Sequence, residues 1–282
     1  MRGGEGEGWW GREGRGEERP VPPIITLTTD FGLRDPFVGI MKGVILSICP
    51  TARLVDLTHD VEPQDLLGAG LALEAALPFF PDGTVHLAVV DPGVGSGRRP
   101  LAVRAGGHYL VGPDNGVLTP ALRGAQWTAV ALTAPEYRLP EVSRTFHGRD
   151  VFAPAAAHLA AGVPLERLGP MVGDPVLRPI PGSRLEGDVL VGEVLAVDRF
   201  GNLLTSIEAA RLAALAGDGL VAVEVSGQPV GGLVDAYADG GDGRPAAIVG
   251  STGRLEIFVR CGSAGRVLGA GRGAPVRIRK RG

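Results

Sequence analysis

The chain has 282 residues, 44% of them hydrophobic, and its 28 basic and 31 acidic residues leave a formal net charge of −3. That is enough apolar material for one large domain or two modest ones, and it gives no electrostatic case for nucleic acid or an anionic membrane as partner. Its two cysteines are too few for a disulfide-built secreted domain, and no apolar run approaches the roughly 18 residues of a membrane helix. Cys49 and Cys261 both sit in apolar runs and are expected to be buried free thiols.

The N-terminus is rich in Gly, Glu and Arg and lacks the apolar centre of a signal peptide. Residues 1–22 are therefore expected to be a disordered extension, and a cytoplasmic protein is the plain expectation. Residues 24–29 (IITLTT) form a β-branched run that ends at Asp30, as a buried strand before a turn would. Residues 36–48 carry apolar side chains at helical spacing, with Asp35 as N-cap and Pro36 in the first turn. A second strand follows over 52–57, then a helix over 64–77 that is apolar nearly all round. A third strand, 84–90, stops at Asp91. Strands over 101–105 and 108–111 flank Gly106-Gly107, a hairpin signal. A further strand is expected over 126–132, and a helix capped by Asp150 over 151–161.

Strands alternating with helices predict an α/β class, with a mostly parallel central sheet across residues 23–173. Ligands of such sheets sit beyond the carboxyl ends of strands, where Asp30 and Asp91 both fall. Residues 174–187 are proline-rich and read as a linker. From 188 to 282 the pattern changes to short strands over 188–197, 202–207, 220–225, 228–233, 246–249, 255–259 and 276–278. One helix, 209–216, interrupts them, and the segment predicts a smaller β-barrel domain.

Four clusters could carry chemistry: TTDFGLRD from Thr28, VVDPGVGSGRRP from Val89, FHGRD from Phe146 and DRFGN from Asp198. None matches a phosphate loop, a zinc site or a nucleophile elbow. In the second cluster Pro92-Gly93 forces a turn and returns Arg98 near Asp91, either as a surface ion pair or as part of a site. Arg99 is expected to be solvated. His147, between Phe146 and Gly148, is structural or faces a flat ligand, and His59 is taken as structural. Asp30 caps the next turn or accepts a ribose diol. In DRFGN, Asp198 closes a β-turn, or Phe200 and Asn202 offer a stacking face and an amide to a purine.

Together these clusters resemble the S-adenosyl-L-methionine (SAM) hydrolases, or SAM hydroxide adenosyltransferases, relatives of the fluorinases and chlorinases. The likeness runs in order through TTDFG, THDVEP, VVDPGVGSGRR, GPDNG, TFHGRD, DRFGN and STGRLEI. It implies hydrolysis of SAM to adenosine and L-methionine by an activated water, with Asp91, Arg98 and His147 as the catalytic set and with no metal and no cofactor. It implies substrate contacts from Asp30, which would hold the ribose diol, from Phe146 and Phe200 flanking the nucleoside, and from Asp198, Asn202 and Ser251. It further implies a homotrimer with sites between subunits. The halogenases carry Tyr at the position of Asp91, Thr at Val94 and Tyr at His147, and fluorinase carries Ser at Gly148; the halide cradle is thus largely missing. A charged Asp91 at roughly 4 Å would also repel a halide by about 4 kcal/mol at an effective dielectric near 20. The halogenase Arg after Ser251 is Thr252 here. Two alternatives stand beside this: a metal-dependent hydrolase built on Asp30, Asp91, His147 and Asp150, and a non-catalytic adenosine or SAM binding module.

Overall fold

The computed structural model describes residues 21–217 and 219–281. The expected disordered extension lies outside the described residues as far as residue 20. The first part of the chain carries β1 (Ile24–Thr29), α1 (Phe37–Ile48), β2 (Arg53–Thr58), α2 (Leu66–Ala76), β3 (Val85–Val89), β4 (Pro100–Ala105) and β5 (His108–Pro113). It continues with α3 (Thr119–Leu122), β6 (Trp127–Ala131), α4 (Ala153–Ala160) and β7 (Met171–Val172). These strands make one sheet in the order β2-β1-β3-β5-β4-β6-β7.

Only half of this sheet is parallel. The β1–β2, β1–β3 and β3–β5 ladders are parallel, whereas β4–β5, β4–β6 and β6–β7 are antiparallel. The expected mostly parallel sheet is therefore a mixed one. The cause lies in Gly106 and Gly107, whose φ angles of +54° and +88° close a two-residue turn and reverse the chain. The parallel strands are covered on both faces. Ile25, Leu27, Val85 and Leu87 pack with Met41 and Ile45 of α1 and Phe152 and Ala156 beside them. Ala88 and Val90 pack with Ala69 and Leu73 of α2 and Val117 and Leu118 on the other face.

The second part carries β8 (Arg184–Glu186), β9 (Val189–Val197), β10 (Leu203–Glu208), α5 (Ala209–Ala216), β11 (Val221–Val225), β12 (Gln228–Val230), β13 (Leu233–Val234), β14 (Pro245–Val249), β15 (Arg254–Val259), α6 (Ala264–Leu268) and β16 (Pro275–Lys280). The strand order is β12-β11-β16-β9-β10-β15-β14-β13, with β8 paired to β9. The expected β-barrel is a curved half-barrel, because no ladder joins β12 to β14. The segment that leaves β12 meets β14 through two bonds, from the Gly231 N–H to the Pro245 carbonyl at 2.8 Å and from the Ala247 N–H to the Gly232 carbonyl at 3.3 Å, before it continues as β13.

Several local expectations change. Pro36 occupies the N-cap of α1, which has no side-chain cap, so Asp35 stands outside the helix. Asp150 is not a cap but lies inside a single π-turn, Gly148–Phe152, that precedes α4. Cys49 is buried, but Cys261 is exposed, on a left-handed turn residue with φ +54°. The helix α6 went unforeseen, although Ser263 caps its start and left-handed Gly269 ends it.

Two buried histidines lie side by side across the first sheet. His86 Nδ1 is 2.8 Å from Thr26 Oγ1 and its Nε2 is 3.4 Å from His108 Nδ1. Burial, reinforced by His108, holds His86 down to about 4 from 6.5. The unfolded chain therefore binds a proton that the folded chain refuses, and stability is expected to fall as pH drops from 6.5 toward 4, by about 3 kcal/mol. Urea unfolding across that range should show this slope, and His86→Gln should flatten it; an unchanged slope in the variant would assign the acid sensitivity to other groups.

Candidate active site

Parallel pairing of β1 and β3 sets Thr29 opposite Val89, so Asp30 and Asp91 leave the sheet side by side at its carboxyl edge. Past Val90 the chain turns through Pro92-Gly93, and the Val94 N–H donates to the Asp91 carbonyl at 3.1 Å. Gly95 takes φ +77°, a conformation open to glycine, and the turn brings Arg98 back over Asp91.

The Arg98 guanidinium is gripped from two sides. Its Nε donates to Asp91 Oδ1 at 2.8 Å and its Nη2 to Asp91 Oδ2, a bidentate pair. The same Nη2 lies 2.9 Å from His147 Nδ1. Arginine only donates, so His147 Nδ1 must accept and the ring proton must sit on Nε2. Burial and the adjacent Arg98 charge push His147 below the ordinary histidine range, which keeps it neutral at pH 7. The Arg98 and Asp91 side chains are only 8% and 6% exposed. Arg98 Cζ also stands 5.3 Å from the centre of the Phe152 ring, and its Nη1 is buried with no hydrogen-bond partner.

The π-turn after His147 presents this ring. Buried Asp150 within it accepts the Ser143 N–H at 2.8 Å and the Arg149 Nε at 2.5 Å, which fastens the loop that carries Phe146 and His147. Its carboxyl is thereby held below the usual range, against the opposing effect of burial. A Cβ on Gly148 would lie 3.0 Å from the Phe146 ring and 3.1 Å from Met41 Sδ, so glycine lets the turn sit against α1. Phe31, Phe37 and Phe146 meet edge to face, with centroids 5.3 to 6.0 Å apart.

These groups border a cavity of about 230 Å³ lined by Asp30, Gln64, Asp91, Thr145, Phe146 and His147, among others. Arg98 stands behind Asp91 and His147. The sequence missed Gln64, one residue past the THDVEP run. It takes φ +68° and gives its N–H to Asp30 Oδ2 at 2.9 Å. Nothing in its residue type signals that conformation.

The remaining candidates lie elsewhere within the chain. Asp198, Phe200 and Asn202 border a second cavity, of about 650 Å³, with Tyr237, Phe258 and Arg260. There Asp198 Oδ1 accepts the N–H groups of Phe200 (2.9 Å) and Asn202 (2.8 Å), and Oδ2 accepts Asn202 Nδ2 at 2.9 Å, which closes the turn. Phe200 is 77% exposed. Ser251 borders a third cavity, between α2 and the second sheet. Arg99, expected in solvent, instead pairs with Asp114 and Asp174. His59 is structural, as expected: its Nδ1 meets Thr29 Oγ1 at 2.8 Å.

A metal-dependent site would need Asp30, Asp91, His147 and Asp150 to converge. Both Asp91 oxygens are committed to Arg98 and Asp150 to its own loop. Among the described residues no three His, Cys, Asp or Glu side chains are placed to share an ion. Nor is any helix among them long and apolar enough to cross a membrane.

Residues 25–169 match the N-terminal domain of the SAM hydroxide adenosyltransferases, and residues 192–277 match their C-terminal domain. The chain belongs to the SAM hydroxide adenosyltransferase family. A Thermus thermophilus protein named (R)-S-adenosyl-L-methionine hydrolase is 45% identical over 264 residues, 91% of this chain and 99% of its own. A fluorinase from an Actinoplanes species is 30% identical, covering 83% of this chain and 90% of its own. The crystal structure of an uncharacterized conserved protein from Thermotoga maritima superposes with a TM-score of 0.85 at 36% identity, over 90% of this chain and 99% of its own. Asp91 and His147, expected to act with Arg98, both hydrogen-bond to it here.

The ion pair is also a stability feature. Arg98→Met leaves the Asp91 carboxylate buried without its counter-charge and is expected to cost about 3 kcal/mol or more. Urea unfolding at neutral pH measures this; adding Asp91→Asn should recover much of the loss, and an unmoved midpoint in Arg98→Met would mean that water already solvates the pair.

Proposed function

We propose that this chain hydrolyses SAM to adenosine and L-methionine, acting on the R sulfonium epimer named for its Thermus relative. The observation that carries this is the hydrogen-bonded convergence of Asp91, Arg98 and His147 beside a cavity that Asp30 and Phe146 also line. The sulfonium already provides a neutral thioether leaving group, so no acid is needed to expel it. The harder task is the nucleophile, since free water has a pKa of about 15.7. In the proposed step a water oxygen bonds to ribose C5′ while the C5′–S bond breaks and its electron pair goes to sulfur. The water's proton passes toward the Asp91 carboxylate, whose oxygens keep a second lone pair beside Arg98, whereas the single lone pair of His147 Nδ1 is used by Arg98 and Nε2 already carries a proton. Arg98 holds both partners in place, and its charge, set behind Asp91 and His147, stabilises the developing hydroxide. Attack in line with the C5′–S bond, fixed by contacts to the rest of the substrate, supplies further acceleration.

Asp30 is assigned the ribose diol, and Phe146 and Phe200 the two sides of the nucleoside. Asp198, Asn202 and Ser251 are assigned contacts with the adenine or the methionine end. The Asp91 cavity, about 230 Å³, is smaller than the roughly 300–1,000 Å³ of ordinary small-molecule sites. This supports completion by another copy: two domains split around residues 174–187, a homotrimer, and the second domain of one subunit closing the site of the next. No cofactor enters this scheme.

Purified protein incubated with each SAM epimer, in halide-free buffer containing a chelator, is expected to release adenosine and methionine; binding without turnover would favour the non-catalytic alternative. Asp91→Ala should lower turnover about a hundredfold or more while binding persists. Near-normal turnover of that variant would remove Asp91 from the chemistry. Because His147 must stay neutral and titrates below 6.5, kcat/KM should hold from neutral pH down to that value and fall only in more acid buffer. A decline that begins above pH 7 would contradict the assigned state of the ring.

A further inference from the structure

Asp30 is held by a residue whose backbone is itself strained. Gln64 takes φ +68° without being glycine, a conformation that costs about 1 kcal/mol or more for an L side chain. Such a conformation persists where the surroundings determine it. On one side, its N–H donates to Asp30 Oδ2 at 2.9 Å. On the other side stands Asp65, the N-cap of α2, whose Oδ1 accepts the Gly68 N–H at 3.0 Å. Asp65 is gripped in turn by Arg272, from the second half of the chain, with Nη1 to Oδ1 at 2.7 Å and Nη2 to Oδ2 at 2.5 Å. Arg272 is anchored at its other end, where Nε donates to the Leu195 carbonyl of β9 at 2.7 Å. The packing is close: a Cβ on Gly68 would lie 2.9 Å from Asp65 Cγ and 3.4 Å from Arg272 Nη2. Gln64 borders both the Asp91 cavity and the cleft that holds Asp65 and Arg272.

We propose that Arg272 is a positioning residue: through Asp65 and the left-handed Gln64 main chain it holds the Asp30 carboxylate in its binding orientation. The second sheet thus acts on its own chain's cavity, through β9, as well as on any neighbour's. The link rests on the proposed SAM hydrolysis only for the consequence that Asp30 contacts the sugar; the mechanical chain is independent of it. Release of Arg272 lets the 63–65 segment relax toward an ordinary φ and turns the Gln64 N–H off Asp30. Substrate binding then suffers, while the Asp91–Arg98–His147 set stays intact.

The test combines amide hydrogen exchange at Gln64 with SAM hydrolysis kinetics, in the full chain and in Arg272→Met, Arg272→Lys and Asp30→Ala/Arg272→Met. Asp65→Asn serves in place of Arg272→Met if that variant folds poorly. The Gln64 amide is expected to be protected in the unmodified protein and to exchange about tenfold faster in Arg272→Met. In the same variant KM should rise about tenfold with kcat within about twofold, and Arg272→Lys should recover part of the rise. On an Asp30→Ala background, Arg272→Met should raise KM no further. Equal Gln64 exchange with and without Arg272 overturns the proposal, as does a fall in kcat at unchanged KM, or a full additional KM effect on the Asp30→Ala background. Loss of Gln64 protection in a protein that never turns over SAM would support the mechanical link and defeat the substrate assignment instead.

Discussion

One buried guanidinium organises this molecule. Arg98 binds a carboxylate that ends β3 and an imidazole that begins the turn before α4, two groups 56 residues apart by numbering, Asp91 and His147. Neither partner alone would leave Arg98 comfortably buried, and without Arg98 the Asp91 carboxylate would stand in apolar surroundings uncompensated. The arrangement also settles a protonation state. Because arginine cannot accept, the histidine must be neutral and must carry its proton on the far nitrogen. Geometry, charge and tautomer are therefore one fact rather than three.

The fold supplies the rest by ordinary means. Adjacent parallel strands with matched register deliver Asp30 and Asp91 to the same edge. The following loops are then fixed by groups with no part in the chemistry. Asp150 ties down the loop before the π-turn, Gly148 lets that turn lie against α1, and three phenylalanines close the apolar side. This division suits a reaction whose leaving group departs unaided. What the protein must contribute is orientation of a water and of the sugar carbon, and both depend on rigid, well-supported side chains.

Much of this was legible in the residues, and the failures are instructive. The strands ending at Asp30 and Asp91 could be placed because β-branched runs stop at turn-forming residues, and β1 begins and ends where the pattern put it. Asp91, Arg98 and His147 could be grouped only through the ordered motifs, since the meeting of Asp91 and His147 on Arg98 is a matter of tertiary path and leaves no local trace. The hairpin at Gly106-Gly107 is visible too, but a glycine turn does not say which strands pair beyond it, so strand–helix alternation alone reads as mostly parallel where the sheet is mixed. Asp150 looked like a helix cap because caps and buried loop fasteners use the same side chain; only burial separates them. Gln64 was invisible for a different reason. Its importance lies in a backbone angle imposed by Asp30, Asp65 and the chain between them, and glutamine has no preference for it.

The most direct measurement is the fate of solvent oxygen. In heavy-oxygen water, with purified protein, SAM, a chelator and no halide, each adenosine released should carry one solvent oxygen at its 5′ position, and Asp91→Ala should release almost none. Adenosine that forms at the enzyme-dependent rate without solvent oxygen would show that no water attacks C5′, and the roles assigned to Asp91, Arg98 and His147 would fall with it.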